Sequence, residues 1–411
     1  MKRYPSRVLA LACAATTIAS LAVAGGSTAA AAAPAPKDDS SRVGKCTTST
    51  PFVAGVGGYA SYRIPAVVTT PHKAVLAFAE GRVGGTSDAG NIDIVARRST
   101  DGGCTWGPQQ VVADLGDNTI GNPSPVVDPK TGEIVLVSTY NLGTAPESAI
   151  LRGQAPPRTV YVQRSTDDGA TFSPPREIGD TTRRPDWRWY ATGPGHAIAI
   201  TSGPHRGRLV VAANHSIAPP AGSTDTGAEA KYYGGHSLLS DDGGHTWAIG
   251  FSDDNPDGVV NANESQVAEL PGGTLYFNSR DQNGTTPGNR LDLYSTDGGQ
   301  TFVQPYVSQS TLWEVPVVEG SVLSTTGGTK DATLIFSGPS NPNARSAMAI
   351  WRSDNQGRTF SMVHRLSGLP AAYSDLVQLS KTDVGILYET GRTSSSETIE
   401  LTRVPLKDLR D

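Results

Sequence analysis

One eight-residue pattern, Ser-x-Asp-x-Gly-x-Thr-(Trp/Phe), recurs along the chain and limits its fold more than any other feature. Flawless copies begin at Ser99, Ser165, Ser240 and Ser295. A fifth, at Ser353, carries Asn355 where the others carry Asp101, Asp167, Asp242 and Asp297. The chemistry is that of a hairpin turn. Asp or Asn bonds the backbone just ahead, Gly supplies a positive φ, and the aromatic residue packs back under the turn. Strand-like runs such as Leu291-Asp292-Leu293-Tyr294 and Met348-Ala349-Ile350-Trp351 precede the copies. Successive copies start 66, 75, 55 and 58 residues apart, a mean of 63.5. With a leader of roughly 33 residues set aside, about 378 remain, room for six such units. The expectation is an all-β chain, a six-bladed β-propeller of four-stranded antiparallel sheets.

Composition narrows the class. Gly (46) and Pro (29) make the chain turn-rich, which disfavours a helical bundle. A net charge of -5 leaves no basic footprint for nucleic acid. No run after residue 33 approaches the ~20 apolar residues of a membrane span, so no membrane partner is expected. Lys2 and Arg3, the apolar run from Val8 to Val23 and the small residues Ala29 to Ala33 read as a signal peptide over 1–33. Residues 34–42 read as a disordered lead and 43–411 as the propeller, in a protein secreted to the extracellular space. Cys13 raises the alternative of a lipoprotein, which the poor match of Ala10-Leu11-Ala12 disfavours. The remaining pair, Cys46 and Cys104, suits a disulfide in an exported protein, with two buried thiols as the alternative. No CxxC or histidine cluster suggests a metal.

The repeat closely resembles the Asp box of bacterial sialidases. Such boxes are structural turns that also occur in propellers without that activity, so their Asp residues are read as turn-holders. The stronger resemblance lies in Tyr62-Arg63-Ile64-Pro65, similar to the motif that opens the sialidase catalytic domain. It implies that Arg63 is one of three arginines gripping the sialic acid carboxylate. Arg280, in Asn278-Ser279-Arg280, and Arg345, in Asn343-Ala344-Arg345-Ser346, fit the other two places. Three planar, permanently charged donors around one carboxylate make physical sense, whereas without a ligand they repel.

A glycoside hydrolase also needs a proton donor. The Gly-rich run from Gly81 to Asp88 resembles the family loop that carries the general acid/base. That match makes Asp88 the acid and Arg82 a substrate contact, with Asp93 the rival acid. The carboxylate on the anomeric carbon of sialic acid repels an incoming Asp or Glu, while a neutral tyrosine can approach and lose its proton to a nearby base. By resemblance, Tyr373 is that nucleophile, Glu264 its base, and Glu389 the residue that orients Arg63. Asn122 stands where several relatives carry Asp, near the sugar's N-acetyl and O4 groups. Trp187-Arg188-Trp189-Tyr190 reads either as an aromatic wall over the glycerol or aglycone side or as packing between blades.

The resemblance runs from Tyr62 to about Arg403. It implies a retaining exo-α-sialidase acting as a monomer on sialylated glycoproteins, glycolipids and oligosaccharides, with no cofactor. A sialic-acid-binding lectin without turnover is the alternative from another class, although binding alone does not need Tyr373, Glu264 and Asp88. A transferase or anhydro-forming sialidase shares every residue named.

Overall fold

The apolar runs between the turns form strands, and the side chains kept by the repeat tie each turn. In the third copy Ser240 Oγ donates to Asp242 Oδ1 (2.9 Å) and accepts from Gly244 N (2.8 Å). Thr246 N and Oγ1 donate to the two carboxylate oxygens at 2.9 and 2.6 Å. Asn355 builds the same cage without a charge, accepting from Thr359 N at 2.9 Å and donating to Thr359 Oγ1 at 2.8 Å. Trp247 and Phe360 are buried beneath their turns.

The computed structural model describes residues 46–283, 289–325 and 332–410, all within the unit Arg42–Asp411. The expected signal peptide and lead lie outside the described residues. The described residues are all-β apart from short helical turns, among them Glu147–Leu151 and Gly179–Thr182.

The expected six separate four-stranded sheets are not found. Four sheets stand alone as blades. One has the order Thr48–Val53, Thr398–Pro405, Asp383–Thr390, Ala371–Gln378, and two others span Ala262–Glu269 to Val307–Ser308 and Ser321–Ser324 to Ser361–Arg365. The fourth, running from Trp187–Thr192 to Ala248–Asp254, has five strands because Ile198–Ala199 pairs with Leu209–Ile217. The rest, from Ser61–Thr69 to Arg176–Glu177, forms one eight-stranded sheet. A parallel bridge between Ile92 and Thr119 fuses it. Counting turn intervals assigns each interval its own sheet and cannot register such a bridge.

The sheets close on themselves. Ser61–Thr69 touches Thr119–Val127, followed in order by Trp187–Thr192, Ala262–Glu269, Ser321–Ser324 and Ala371–Gln378, which returns to Ser61–Thr69. The eight-stranded sheet supplies two of these ring strands. Thr48–Val53, from the start of the described chain, pairs antiparallel with Thr398–Pro405 near its end. A disulfide between Cys46 and Cys104 ties this closing strand to the first turn. Apolar side chains fill the spaces between neighbours. Phe52, Leu387 and Leu401 pack with Val67, Val75 and Val95, and Leu76 and Phe78 pack with Ile120 and Leu136 inside the eight-stranded sheet.

At the centre lies a fully buried carboxylate, Asp375. Its Oδ2 accepts from Val67 N (2.7 Å) and His196 N (2.9 Å). Its Oδ1 is 2.6 Å from His196 Nδ1 and accepts from Ser321 Oγ (3.0 Å) and Gln266 Nε2 (3.3 Å). These partners come from separate ring elements. Gly195 has φ 92°, and a Cβ there collides with Gln266 Nε2 and crowds Asp375, so the backbone reaches the hub only as glycine.

Two predictions follow from these contacts. Asp375→Ala leaves buried donors unanswered and lowers the unfolding free energy by about 3–5 kcal/mol, readable by denaturant titration. Burial opposes ionisation of Asp242, but hydrogen bonds from Thr246, Ser240 and His245 outweigh it and hold the carboxyl down at about 2. Because unfolding restores an ordinary carboxyl near 3.8, this stabilisation is complete above about pH 4 and is lost as pH falls towards about 2. Asp242→Asn therefore melts below wild type at pH 7, and the gap closes near pH 2 in paired thermal melts.

Candidate active site

A recurrent irregularity aims the functional side chains. Pairing shifts register between Arg63 and Ala66, Gly121 and Ser124, Trp187 and Tyr190, Ala262 and Ser265, and Ala371 and Ser374. Each shift sits at the start of a ring strand, at the end where Arg63, Asn122, Trp189, Glu264 and Tyr373 stand. A bulge re-aims a side chain that a regular pleat points into the sheet packing. Ile64 (φ 59°) and Asn122 (φ 51°) hold left-handed backbone at two of these bulges. Together the bulges gather one polar pocket, whose lining includes Asp88, Asn122, Glu264, Arg280, Arg82 and Tyr373.

The centre of the pocket is a phenol and a carboxylate. Tyr373 Oη donates to Glu264 Oε1 at 2.5 Å and accepts from Arg280 Nη1 at 3.2 Å. Arg280 Nη1 also lies 2.6 Å from Glu264 Oε2, as an ion pair without linear hydrogen-bond geometry. Burial pushes the Tyr373 phenol up, and the charge of Glu264 adds to the effect, while Arg280, Arg63 and Arg345 pull it down. At neutral pH the tyrosine therefore keeps its proton and directs it at Glu264.

All three expected arginines converge here. Arg63 Cζ and Arg345 Cζ lie 5.0 and 5.8 Å from the Tyr373 ring centroid, and Arg280 touches its hydroxyl. Glu389 is fully buried, with Oε2 at 3.2 Å from Arg63 Nη2 and Oε1 accepting from Ile64 N at 2.8 Å. It thus holds both the side chain and the following backbone of the Arg63 bulge. Arg345 is exposed and donates to Val317 O at 2.9 Å. Among the described residues it forms no ion pair, so this part of the pocket carries surplus positive charge.

Asp88 lies on the loop above. Arg82 Nη1 contacts Asp88 Oδ1 at 2.7 Å, and Arg63 Nη1 is 3.7 Å from the same oxygen. Arg82 also donates to Thr86 O (2.6 Å), Ser87 O (3.1 Å) and Glu80 Oε2 (2.6 Å), so it lines the pocket while bracing the whole loop. Burial opposes ionisation of Asp88, but Arg82 and Arg63 hold its carboxyl below the usual range. Asp93, the rival acid, is outside this lining and accepts from Tyr59 Oη at 2.6 Å.

The wall away from Tyr373 holds groups that sequence reasoning missed. Asn122 Oδ1 accepts from Arg158 Nη1 (3.1 Å) and Thr139 Oγ1 (3.2 Å), and Asn122 N donates to Glu80 Oε1 (2.9 Å). Arg158, Glu80 and Glu147 all line the pocket. Arg158 precedes an apolar strand in Pro157-Arg158-Thr159-Val160, the same signal that singled out Arg63. The aromatic run divides: Trp189 lines the pocket, whereas Trp187 is buried and stacks on His215 with centroids 3.8 Å apart.

A family model described as a BNR repeat-like domain matches residues 73–386. The chain is similar to a protein named Sialidase from Micromonospora viridifaciens, 32% identical over 408 residues that cover 95% of this chain and 59% of the relative. It is 30% identical to a protein named Sialidase from Bacteroides fragilis (strain YCH46), over 87% of this chain and 64% of that relative. Among solved structures, Hadza microbial sialidase Hz136 superposes with a TM-score of 0.71 at 27% identity, covering 86% of this chain and 67% of that one. The chain thus spans about three fifths of the length of those two relatives.

The Arg82–Asp88 contact makes a prediction of its own. In a carboxyl-carbon NMR titration of the ligand-free protein, Asp88 ionises below the ordinary aspartate range. Arg82→Gln moves that titration upward, because the nearest compensating charge is gone.

Proposed function

The chain belongs to the BNR repeat-like domain family, and from that premise and the chemistry of the pocket we propose that it is a secreted, retaining exo-α-sialidase that removes terminal sialic acid from glycoconjugates. One observation carries the reading: Tyr373 Oη donates to Glu264 Oε1 at 2.5 Å under three converging guanidiniums. Binding a carboxylate needs the guanidiniums alone. A buried phenol set against a carboxylate base adds a nucleophile.

In the proposed reaction Arg63, Arg280 and Arg345 bind the sugar's carboxylate, which sets the anomeric carbon over Tyr373. The phenol passes its proton to Glu264 and attacks, forming a glycosyl-tyrosine, while Asp88 protonates the departing glycosidic oxygen. Asp88 then takes a proton from the water that attacks the anomeric carbon, the bond to Tyr373 breaks as Glu264 returns its proton to the phenol oxygen, and the sugar leaves with its configuration retained. Arg82 and Arg63 hold the Asp88 carboxyl below the usual range, so binding of the sugar must arm it. The substrate carboxylate draws on Arg63, the sugar shields Asp88 from water, and both changes favour the protonated acid.

Export is supported by the leader-like composition of residues 1–33 and by the Cys46–Cys104 disulfide, which suits an oxidising compartment. The test is release of free sialic acid from an alkyl sialoside. Wild type releases it, and Tyr373→Phe and Asp88→Ala each reduce kcat by about 10²–10⁴-fold. Full activity in Tyr373→Phe overturns the nucleophile. Binding of sialylated glycans with no release by wild type makes the protein a lectin.

A further inference from the structure

Two backbone amides at the bulge of Tyr373 take side-chain acceptors in place of ladder carbonyls. Ala371 pairs with Thr390 and Ser374 with Tyr388, so Ala372 and Tyr373 together face Glu389 and the ladder is broken there. Buried amides still need partners. Tyr373 N donates to Glu389 Oε2 at 3.5 Å, and Ser374 N donates to Glu319 Oε2 at 3.1 Å. Glu389 stands on the adjacent strand of the same sheet. Glu319 stands just before Ser321–Ser324, in the next sheet of the ring. From that sheet Ser337 Oγ also reaches Ser374 Oγ at 2.8 Å.

The reaction above leaves Glu319 unused. It is 2% exposed, its Oε1 has no hydrogen-bond partner, and among the described residues it forms no ion pair. Arg290, fully buried nearby, gives its donors to the peptide instead. Nη1 bonds Val318 O (2.8 Å), Nη2 bonds Gly320 O (3.4 Å), and Nε bonds Asn278 Oδ1 (2.8 Å). Arg290 thus clamps the backbone on both sides of Glu319 and leaves the acid itself unpaired. The other ionisable neighbours, Glu264 and Asp375, are acids too. Burial raises the Glu319 carboxyl well above its ordinary range and the charge of Glu264 raises it further, against the pull of Ser374 N and Arg290. Out of water and unpaired, a carboxyl keeps its proton.

We propose that Glu319 is a positioning residue, which aims Tyr373 at Glu264 by holding the amide of Ser374 and does so as an uncharged acid. Both halves matter to the reaction. An acceptor at Ser374 N sets the bulge, and the bulge aims the phenol. A drift of about 1 Å at the attacking oxygen costs on the order of 10²-fold in rate. An ionised Glu319 also holds Ser374 N, but its charge repels that of Glu264 and drives a proton onto the base before substrate arrives. The protonated acid avoids this: one oxygen accepts from the amide, and Glu264 stays ready to take the phenol's proton.

The inference rests on the sialidase reading, and the test keeps the two apart. Glu319→Leu and Glu319→Gln are compared with wild type in release from an alkyl sialoside, after thermal melts establish that each folds. Leu offers Ser374 N no acceptor, and kcat falls about 10–100-fold with KM nearly unchanged. Gln offers a neutral carbonyl of the same reach, so kcat recovers to within about threefold of wild type and the acidic limb of its pH profile stays in place. Undiminished kcat in Glu319→Leu, equal losses in both variants, or a displaced acidic limb in Glu319→Gln overturns the inference and leaves the sialidase reading standing. Carbon-13 spectra of the ligand-free proteins decide without turnover. The Glu319 carboxyl, assigned by its loss in Glu319→Gln, shows the shift of a protonated acid at pH 7, and Tyr373 Cζ moves in Glu319→Leu but not in Glu319→Gln. An ionised Glu319, or Tyr373 Cζ unmoved in Glu319→Leu, overturns the inference. If Glu319→Leu does not fold, the acidic limb of Glu319→Gln and the wild-type carboxyl shift decide. The expected spectra with no sialic acid released by wild type uphold the placement and remove the hydrolase.

Discussion

Everything in the ring leans on the carboxylate of Asp375. It is fully buried, and the elements around it supply its hydrogen bonds: Val67 N, His196 N and ring, Gln266 and Ser321. A buried polar group is costly when unpartnered and specific when fully answered. Because its partners come from different ring elements, satisfying it fixes where those elements stand relative to one another. Tyr373 is two residues before it on the same strand and Glu264 two residues before Gln266, so the hub also sets the spacing of the pair that does the proposed chemistry.

Above the hub, the site is built by departing from the pleat. In a regular strand alternate side chains belong to the packing between sheets, and the ring strands are buried along nearly their whole length. The register shifts at Arg63, Asn122, Trp189, Glu264 and Tyr373 release one residue per strand from that obligation. Glu389 and Asn263 then fix the released groups: Glu389 binds Ile64 N and Arg63, and Asn263 Oδ1 receives Glu264 N at 2.9 Å and Arg280 Nη2 at 3.2 Å. The polar groups at this end are held by other polar groups, which preorganises the pocket.

This division explains what could be read from the residues. The turn cages are local, closing within four residues, so Ser240 to Thr246 and its counterparts were legible as turns and gave the all-β architecture. The blade count was not legible, since the bridge that fuses two neighbours joins Ile92 to Thr119 and depends on backbone geometry. Arg63, Arg280 and Arg345, with Glu264, Tyr373, Asp88 and Glu389, were singled out by resemblance, and the fold places them near one another. Arg82 was read as a substrate contact; it lines the pocket, and its donors also hold the Asp88 loop, which no motif announced. Arg158 was missed although it stands, like Arg63, at the head of an apolar run, because no familiar motif surrounds it. Its contacts form across strands distant in sequence, with Asn122, Tyr190 and Trp189, which no local window contains.

The pairing of Thr48–Val53 with Thr398–Pro405 sets an order of events as well as a shape. The first strand of the described chain waits until the last of the described strands has been made. Through that interval its edge is open to strands of other chains, and the ring cannot reach its final cooperativity. Such sequence-distant closure slows folding, since loop entropy is lost before the contact rewards it. The bond from Cys46 to Cys104 shortens the search. It berths the waiting strand beside the first turn, at the site where its late partner has to dock.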